Sequence, residues 1–166
     1  GAGAGTLAEA AAHGDAVLAA VGRGGVGEVI PPLAELLAGK PVLDCSNPIV
    51  PGPGGLMLDT DGGRSAAREL ADAAPGAHVV KAFHLCAAQV WAGELADGLA
   101  VAVCGDDRAA LAVAGTLVAD VGSVAVEVGG LDRAGYLEAT AAIVIGMWFA
   151  GQDPRTMLPP AEHAHG

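Results

Sequence analysis

Apolar positions along this chain come in short, mostly apolar runs separated by polar, glycine-bearing or proline-bearing breaks. Runs at residues 16–21, 42–45, 78–83, 99–104 and 124–128 have the length of strands. They are mostly apolar on successive positions, as strands buried on both faces are. The stretches between them carry helical signals. Residues 7–13 are a predicted helix, with Thr6 at the cap, Glu9 at the third helical position and Gly14 as the stop. A second helix is predicted from about Ile30 to Ala38, ended by Gly39. Over residues 64–74, Ala67, Leu70 and Ala71 fall on one helical face. Further helices are expected near residues 87–93, over 108–121 behind a carboxylate cap at Asp106 or Asp107, and over 132–150. Residues 49–63 are rich in Gly and Pro and show no period, so a long, functional or mobile connection is expected there.

Strands alternating with helices give a parallel sheet with right-handed crossovers and helices on both faces. Residues 1–151 form one such domain, and residues 152–166 a polar, loosely ordered tail. Ligands bind such sheets beyond the carboxyl ends of the strands. The candidate loops are therefore residues 22–24, 45–48, 84–86 and 105–107. Gly22, Gly24 and Gly27 have the spacing G-x-G-x-x-G, and Asp44 lies twenty positions beyond Gly24. Read as a dinucleotide fingerprint, this puts Asp44 on a ribose and makes the chain NAD-preferring. Against that reading stand Pro31 and Pro32, which fit only the first turn of a helix. A helix starting near Ile30 leaves the glycines as a plain connection.

Composition narrows the picture. Hydrophobic residues are 52% of the chain and aromatics only 3%, so the core is built of Ala, Val, Leu and Ile. A formal charge of −11 disfavours nucleic acid and anionic membrane as partners. The three cysteines, Cys45, Cys86 and Cys104, are odd in number and show no framework, which points to a reducing, cytoplasmic setting. No CxxC or HxxxH spacing supports a metal site, and buried free thiols are expected. The most apolar run, residues 139–150, is too short to span a bilayer.

Five motifs occur in one order: Asp44-Cys-Ser-Asn47-Pro48, Gly63-Arg-Ser-Ala-Ala-Arg-Glu-Leu-Ala71, Val79-Val-Lys-Ala-Phe-His84, Val103-Cys-Gly-Asp-Asp107, and Gly129-Gly-Leu131 followed by Leu137-Glu138. Together they resemble the family of NADPH-dependent reductases related to the coenzyme F420 (deazaflavin):NADP oxidoreductase, over residues 6–151. The resemblance implies a Rossmann-like α/β fold. It also implies that the family's first βαβ unit, with its glycine loop and 2′-phosphate-binding residues, has no counterpart here. The chain, which begins at Gly1, is thus expected to be truncated at its N-terminus, with a sheet edge left unpaired. By resemblance Gly22–Gly27 is an accidental match to the fingerprint.

The same resemblance assigns cofactor-binding positions. Val21, Gly22 and Arg23 match the loop near the cofactor ribose and pyrophosphate. Asn47 and Pro48 match the turn after the next strand. Ala82 and Phe83, with His84, match the segment beside the nicotinamide, where backbone groups hold the carboxamide. Leu85 stands where the family has Thr, Gly130 where it has Pro, and Gly135 where it has Arg. NADP(H) is the implied cofactor, and coenzyme F420 the implied acceptor. His84 is the candidate catalytic residue, as a hydrogen-bond partner of the acceptor or a proton relay; the plain alternative is a histidine bonded to a neighbouring carbonyl. Arg23 either faces a phosphate or is solvated. The family commonly dimerises through its C-terminal region, which carries Tyr136, Ile143, Met147, Trp148 and Phe149, so a homodimer is expected. A small-molecule substrate completes the list of partners. The competing reading is a non-catalytic nucleotide-binding or dimerisation module without a complete cofactor site.

Overall fold

The structure is a computed structural model that describes residues 2–60, 62–92 and 98–159, apart from the Arg23 side chain. In chain order its elements are α1 (Leu7–His13), β1 (Val17–Ala19), α2 (Arg23–Val29), α3 (Ala34–Leu37), β2 (Pro41–Asp44), β3 (Ile49–Gly52), β4 (Gly55–Leu58), α4 (Ala66–Ala73), β5 (His78–Lys81), α5 (Ala88–Trp91), β6 (Ala100–Gly105), α6 (Arg108–Asp120), β7 (Val124–Glu127) and α7 (Ala134–Phe149). A five-stranded sheet runs in the order β1-β2-β5-β6-β7. It is mostly parallel and Rossmann-like, and helices cover both faces.

The two faces are legible in the alternation along the strands. Val42, Val79 and Cys104 point into one core with Ala11, Val26, Leu37, Leu70 and Ala134, supplied by α1, α2, α3, α4 and α7. Leu43, Val80 and Val103 point to the other, where α6 adds Ala110, Leu111, Ala114 and Val118. Thr6 and Glu9 make the capping box of α1 as its sequence predicts. At the other end of α1, Lys40 Nζ donates to the carbonyls of Ala11, Ala12 and Gly14. A cation there satisfies orphan acceptors and complements the dipole.

Four expectations are corrected. First, α2 starts at Arg23, directly after Gly22, so the helix does not wait for the prolines. Pro31 and Pro32 open a separate 3₁₀ turn, Pro31–Leu33, that links α2 to α3. The burial of Val26 and Ile30 in the core outweighs the poor helix propensity of three glycines. Second, residues 49–63 are not structureless: β3 and β4 form an antiparallel hairpin, with Ile49 opposite Leu58 and Gly52 opposite Gly55. Third, β6 runs antiparallel to β5, with Lys81 opposite Cys104. Fourth, the tail is partly built, because Pro154–Met157 is a 3₁₀ turn whose Pro154 is buried. Residues 93 and 160–166, the end of the expected helix near residues 87–93 and of the tail, lie outside the described residues. Among the described residues β1 pairs only with β2, and Leu18 on it is exposed. No helix among them is long and apolar enough to cross a membrane.

Candidate functional site

Three strands end side by side. Ala19 of β1 is in register with Asp44 of β2, and Asp44 with Lys81 of β5. The chain therefore leaves the sheet at one row to form residues 20–22, 45–48 and 82–86, and this row is the carboxyl edge at which α/β sheets bind ligands. The residues assigned to one site in the sequence, from Val21 to His84, all issue from it. Residues 105–107 do not. Because β6 is antiparallel, they emerge at the opposite edge, where Asp107 lies 3.8 Å from His78 at the start of β5. Asp107 accepts from the Ala110 amide as the cap of α6, and Asp106 accepts from the Leu131 amide.

The first loop is the one with the least built around it. Gly22 is the N-cap of α2 and its carbonyl accepts from the Gly25 amide. Val21 is half-buried against the core, and the Arg23 side chain lies outside the described residues. The second and third loops are locked together. Asn47 Nδ2 donates to the His84 carbonyl at 2.6 Å, and the Ala82 amide donates to the Asp44 carbonyl at 3.0 Å. The Pro48 carbonyl accepts from the Asp59 amide, which closes the β3–β4 hairpin back onto the turn. Phe83 sits at φ 59°, the only non-glycine residue with positive φ among those described. A bulky residue is held there at a cost of about 1–3 kcal/mol, a strain that collects at ligand-binding turns. Its ring stands edge-on to Trp91 with centroids 5.2 Å apart.

Polar atoms at this turn lack partners. His84 Nδ1 and Nε2, Asn47 Oδ1 and Trp91 Nε1 are buried with no hydrogen bond among the described residues. Buried polar groups are almost always paired in native proteins, so a group of orphans clustered at one turn marks a place that another molecule satisfies. Burial, aided by the nearby Lys81 cation, lowers the His84 pKa to about 3. The ring is therefore neutral at physiological pH and offers one donor and one acceptor. It does not carry an imidazolium proton to relay. Neither ring nitrogen bonds a carbonyl among the described residues.

Behind the turn lies a buried ionic cluster. Lys81 Nζ is 2.8 Å from Asp44 Oδ2 and 3.0 Å from Glu138 Oε1, all three side chains being buried, and it also donates to the Ser46 carbonyl. Asp44 Oδ1 accepts from both the amide and the hydroxyl of Ser46. Glu138, on α7, accepts from the amides of Ala66 and Ala67 at the start of α4. This overturns the reading of Asp44 as a ribose ligand, because its carboxylate is 1% exposed and already committed. Sequence reasoning passed over Lys81 and Glu138. Their signal was a lone charge in an apolar strand and another in an apolar helix, each of which requires a buried partner.

Burial holds the three thiols toward their protonated form. Burial raises the pKa of Cys45 and Cys86, and pushes Cys104 to about 11. The described residues hold no cluster of His, Cys, Asp and Glu suited to a metal ion. Two clefts lie elsewhere. One of about 550 Å³ is lined by Arg68, Asp72, His78, Asp106 and Asp107 at the opposite sheet edge. The other, about 360 Å³, lies between α2 and α4 beside Gly24, Gly27 and the acids Asp59, Glu69 and Asp72.

No protein-family model and no curated protein matches the chain. Solved structures do. A candidate F420-dependent NADP-reductase from Arthrobacter sp. superposes with a TM-score of 0.79 at 26% identity, over 89% of this chain and 70% of that one. The chain resembles the F420-dependent NADP-reductase family. A hypothetical protein from Sinorhizobium meliloti is also 26% identical, with a TM-score of 0.67 over 78% of this chain and 62% of its own. A pyrroline-5-carboxylate reductase from Coxiella burnetii, at 14% identity, shares the fold with a TM-score of 0.58 over 87% of this chain and 47% of that one. The chain thus spans about two thirds of the length of these first two structural counterparts.

Proposed function

We propose that the chain is the nicotinamide-facing part of an NADP-dependent oxidoreductase that passes hydride between NADP(H) and a deazaflavin or similar flat acceptor. The observation that carries this reading is the turn of residues 82–86, with its strained Phe83, its clamp from Asn47 and its unpartnered buried polar atoms. A nicotinamide carboxamide presents one carbonyl and one NH₂, which complements backbone groups and neutral amide or imidazole atoms of this kind. Ala82, Phe83, Asn47 and Pro48 hold that end in the proposal, and Val21, Gly22 and Arg23 face the ribose and pyrophosphate. A bound nicotinamide would supply the hydride, so the protein's task is to align two faces and exclude water. His84 acts as a neutral hydrogen-bond partner. NADP rather than NAD, and a deazaflavin acceptor, are inferred from the name of the Arthrobacter neighbour. The free thiols favour a reducing, cytoplasmic setting. A second copy of the chain is proposed to cover α7, where Tyr136, Ile143, Trp148 and Phe149 are exposed.

The test is titration with NADPH and NADH, followed by an assay of hydride transfer to oxidised deazaflavin. The expected result is measurable binding of NADPH and measurable hydride transfer. Asn47→Ala unpairs the His84 carbonyl and is expected to weaken NADPH about tenfold or more, the equivalent of losing one buried hydrogen bond. Failure of the wild-type chain to bind either cofactor would replace this reading with that of a module lacking a complete cofactor site.

A further inference from the structure

We infer that Lys81 is a positioning residue for the ligand turn, holding residues 45–48 and 82–86 in mutual register through Asp44 and the Ser46 carbonyl, while Glu138 ties the same ammonium to α7 and α4. The inference rests on the oxidoreductase reading for its functional consequence, though not for its structural one. Lys81 is fully buried and touches neither the loop near the pyrophosphate nor the His84 ring by any hydrogen bond among the described residues.

The geometry makes the ammonium a hub. A lysine Nζ has three protons, and here it meets three acceptors from three segments: the Asp44 carboxylate at the end of β2, the Ser46 carbonyl in the turn, and the Glu138 carboxylate on α7. Asp44 then spends its second oxygen on the amide and hydroxyl of Ser46. The turn is thus gripped at both the N–H and the C=O of Ser46. One residue on, Asn47 reaches across to the His84 carbonyl. The chain of contacts runs Lys81, Asp44, Ser46, Asn47, His84 and returns through residues 83 and 82 to Lys81 itself. A closed ring of this kind fixes the separation of the two loops more tightly than packing alone. The buried site also gives the ion pairs an energetic weight that surface pairs lack, since removal of one partner strands the others in the core. Burial of a like-charged pair, Asp44 and Glu138, around one cation further requires the cation to stay central.

The decisive experiment compares Lys81→Met with wild type in the full chain, first without ligand and then with NADPH. Amide exchange is read at Ser46 and Ala82, whose N–H groups bond Asp44, and at Ala114 of α6 as the control on the other sheet face. Positioning predicts that Ser46 and Ala82 lose protection at least tenfold while Ala114 keeps it. It also predicts NADPH binding weakened by at least tenfold, with binding of ADP-ribose, which keeps the pyrophosphate but lacks the nicotinamide, changed less than twofold. Equal loss at all three amides, or equal loss for both ligands, would make Lys81 a stability element only. Should Lys81→Met fail to fold, Asp44→Asn reads the same hub more gently: it keeps the shape, weakens the hold on Nζ, and is expected to expose Ser46 and Ala82 before Ala114. Unchanged protection in Asp44→Asn would overturn the inference. If wild type binds neither NADPH nor ADP-ribose, the oxidoreductase reading falls, and the exchange data still decide whether Lys81 positions the turn.

Discussion

His84 is where the chemistry of a single side chain becomes measurable in the whole protein. Its folded pKa lies near 3, against about 6.5 in an unfolded chain. Above pH 6.5 the ring is neutral in both states and adds no pH dependence. As pH falls below 6.5 the unfolded chain takes up a proton that the folded one refuses, so stability is lost on the acid side. The slope from this one group is about 1.4 kcal/mol per pH unit until the folded pKa is reached, or about 2 kcal/mol between pH 6 and 4.5. Denaturant unfolding of wild type and His84→Gln at half-unit intervals checks it: the variant should show a shallower acid slope over that range, whatever its absolute stability. A parallel slope in the two proteins would mean that the ring is solvated and ionisable in the native state. The buried charges were legible in part. A lysine between Val80 and Ala82, and a glutamate in a helix otherwise made of apolar and small residues, announce that each has a partner. Nothing local says that the partners are one another, because residues 44, 81 and 138 meet only through sheet register and the docking of α7.

Among the elements, those with an uninterrupted apolar run were read at nearly their true bounds, since a strand buried on both faces leaves little else for such a run to be. Two others were hidden by their glycines and prolines. The β3–β4 hairpin carries Pro51 and a Gly-Pro-Gly-Gly turn that masks its alternation, and proline is compatible with such a ladder only where an N–H is not needed. The antiparallel course of β6 was not legible at all, because an apolar run has no direction and the connection from residue 82 to 99 can return from either end. Helix α2 is the sharpest case. Local propensity votes against three glycines, yet tertiary burial of Val26 makes them helical. It follows that Gly27→Ala should stabilise the protein, because a Cβ at Gly27 meets nothing within 4 Å and the residue lies in the helix interior. The expected gain is about 0.5–1 kcal/mol, or roughly 1–4 °C in Tm. Gly39→Ala is the counter-test: space there is equally open, but φ is +73°, so the same substitution should destabilise by about 1 kcal/mol. Thermal melts of the two variants beside wild type separate the effect of backbone conformation from that of room.

For the molecule as a whole, the last question is what faces α7. One part of this helix belongs to the core, through Ala134, Glu138, Ala141 and Ala142. The rest carries Tyr136, Ile143, Trp148 and Phe149 to the surface, with Phe149 82% exposed. Aromatic residues are scarce in this chain, at 3%, and both tryptophans and both phenylalanines lie either at the ligand turn or on α7. The exposed aromatic residues of α7 have the composition of an interface rather than of a general surface. A net charge of −11 opposes self-association at long range, so a dimer here must be carried by apolar contact and should strengthen as salt screens the repulsion. Sedimentation of wild type is therefore expected to show a dimer that tightens between low and physiological salt. Phe149→Glu places a charge among the exposed apolar residues of α7 and should raise the dissociation constant at least tenfold, the equivalent of about 1.4 kcal/mol or more, while leaving the fold intact. A monomer at all salt concentrations, or a dimer indifferent to Phe149→Glu, would remove α7 from any interface between copies. Because Glu138 on α7 also bonds Lys81, loss of the dimer should be followed by NADPH titration, which reads whether covering α7 steadies the turn at Asn47 and His84.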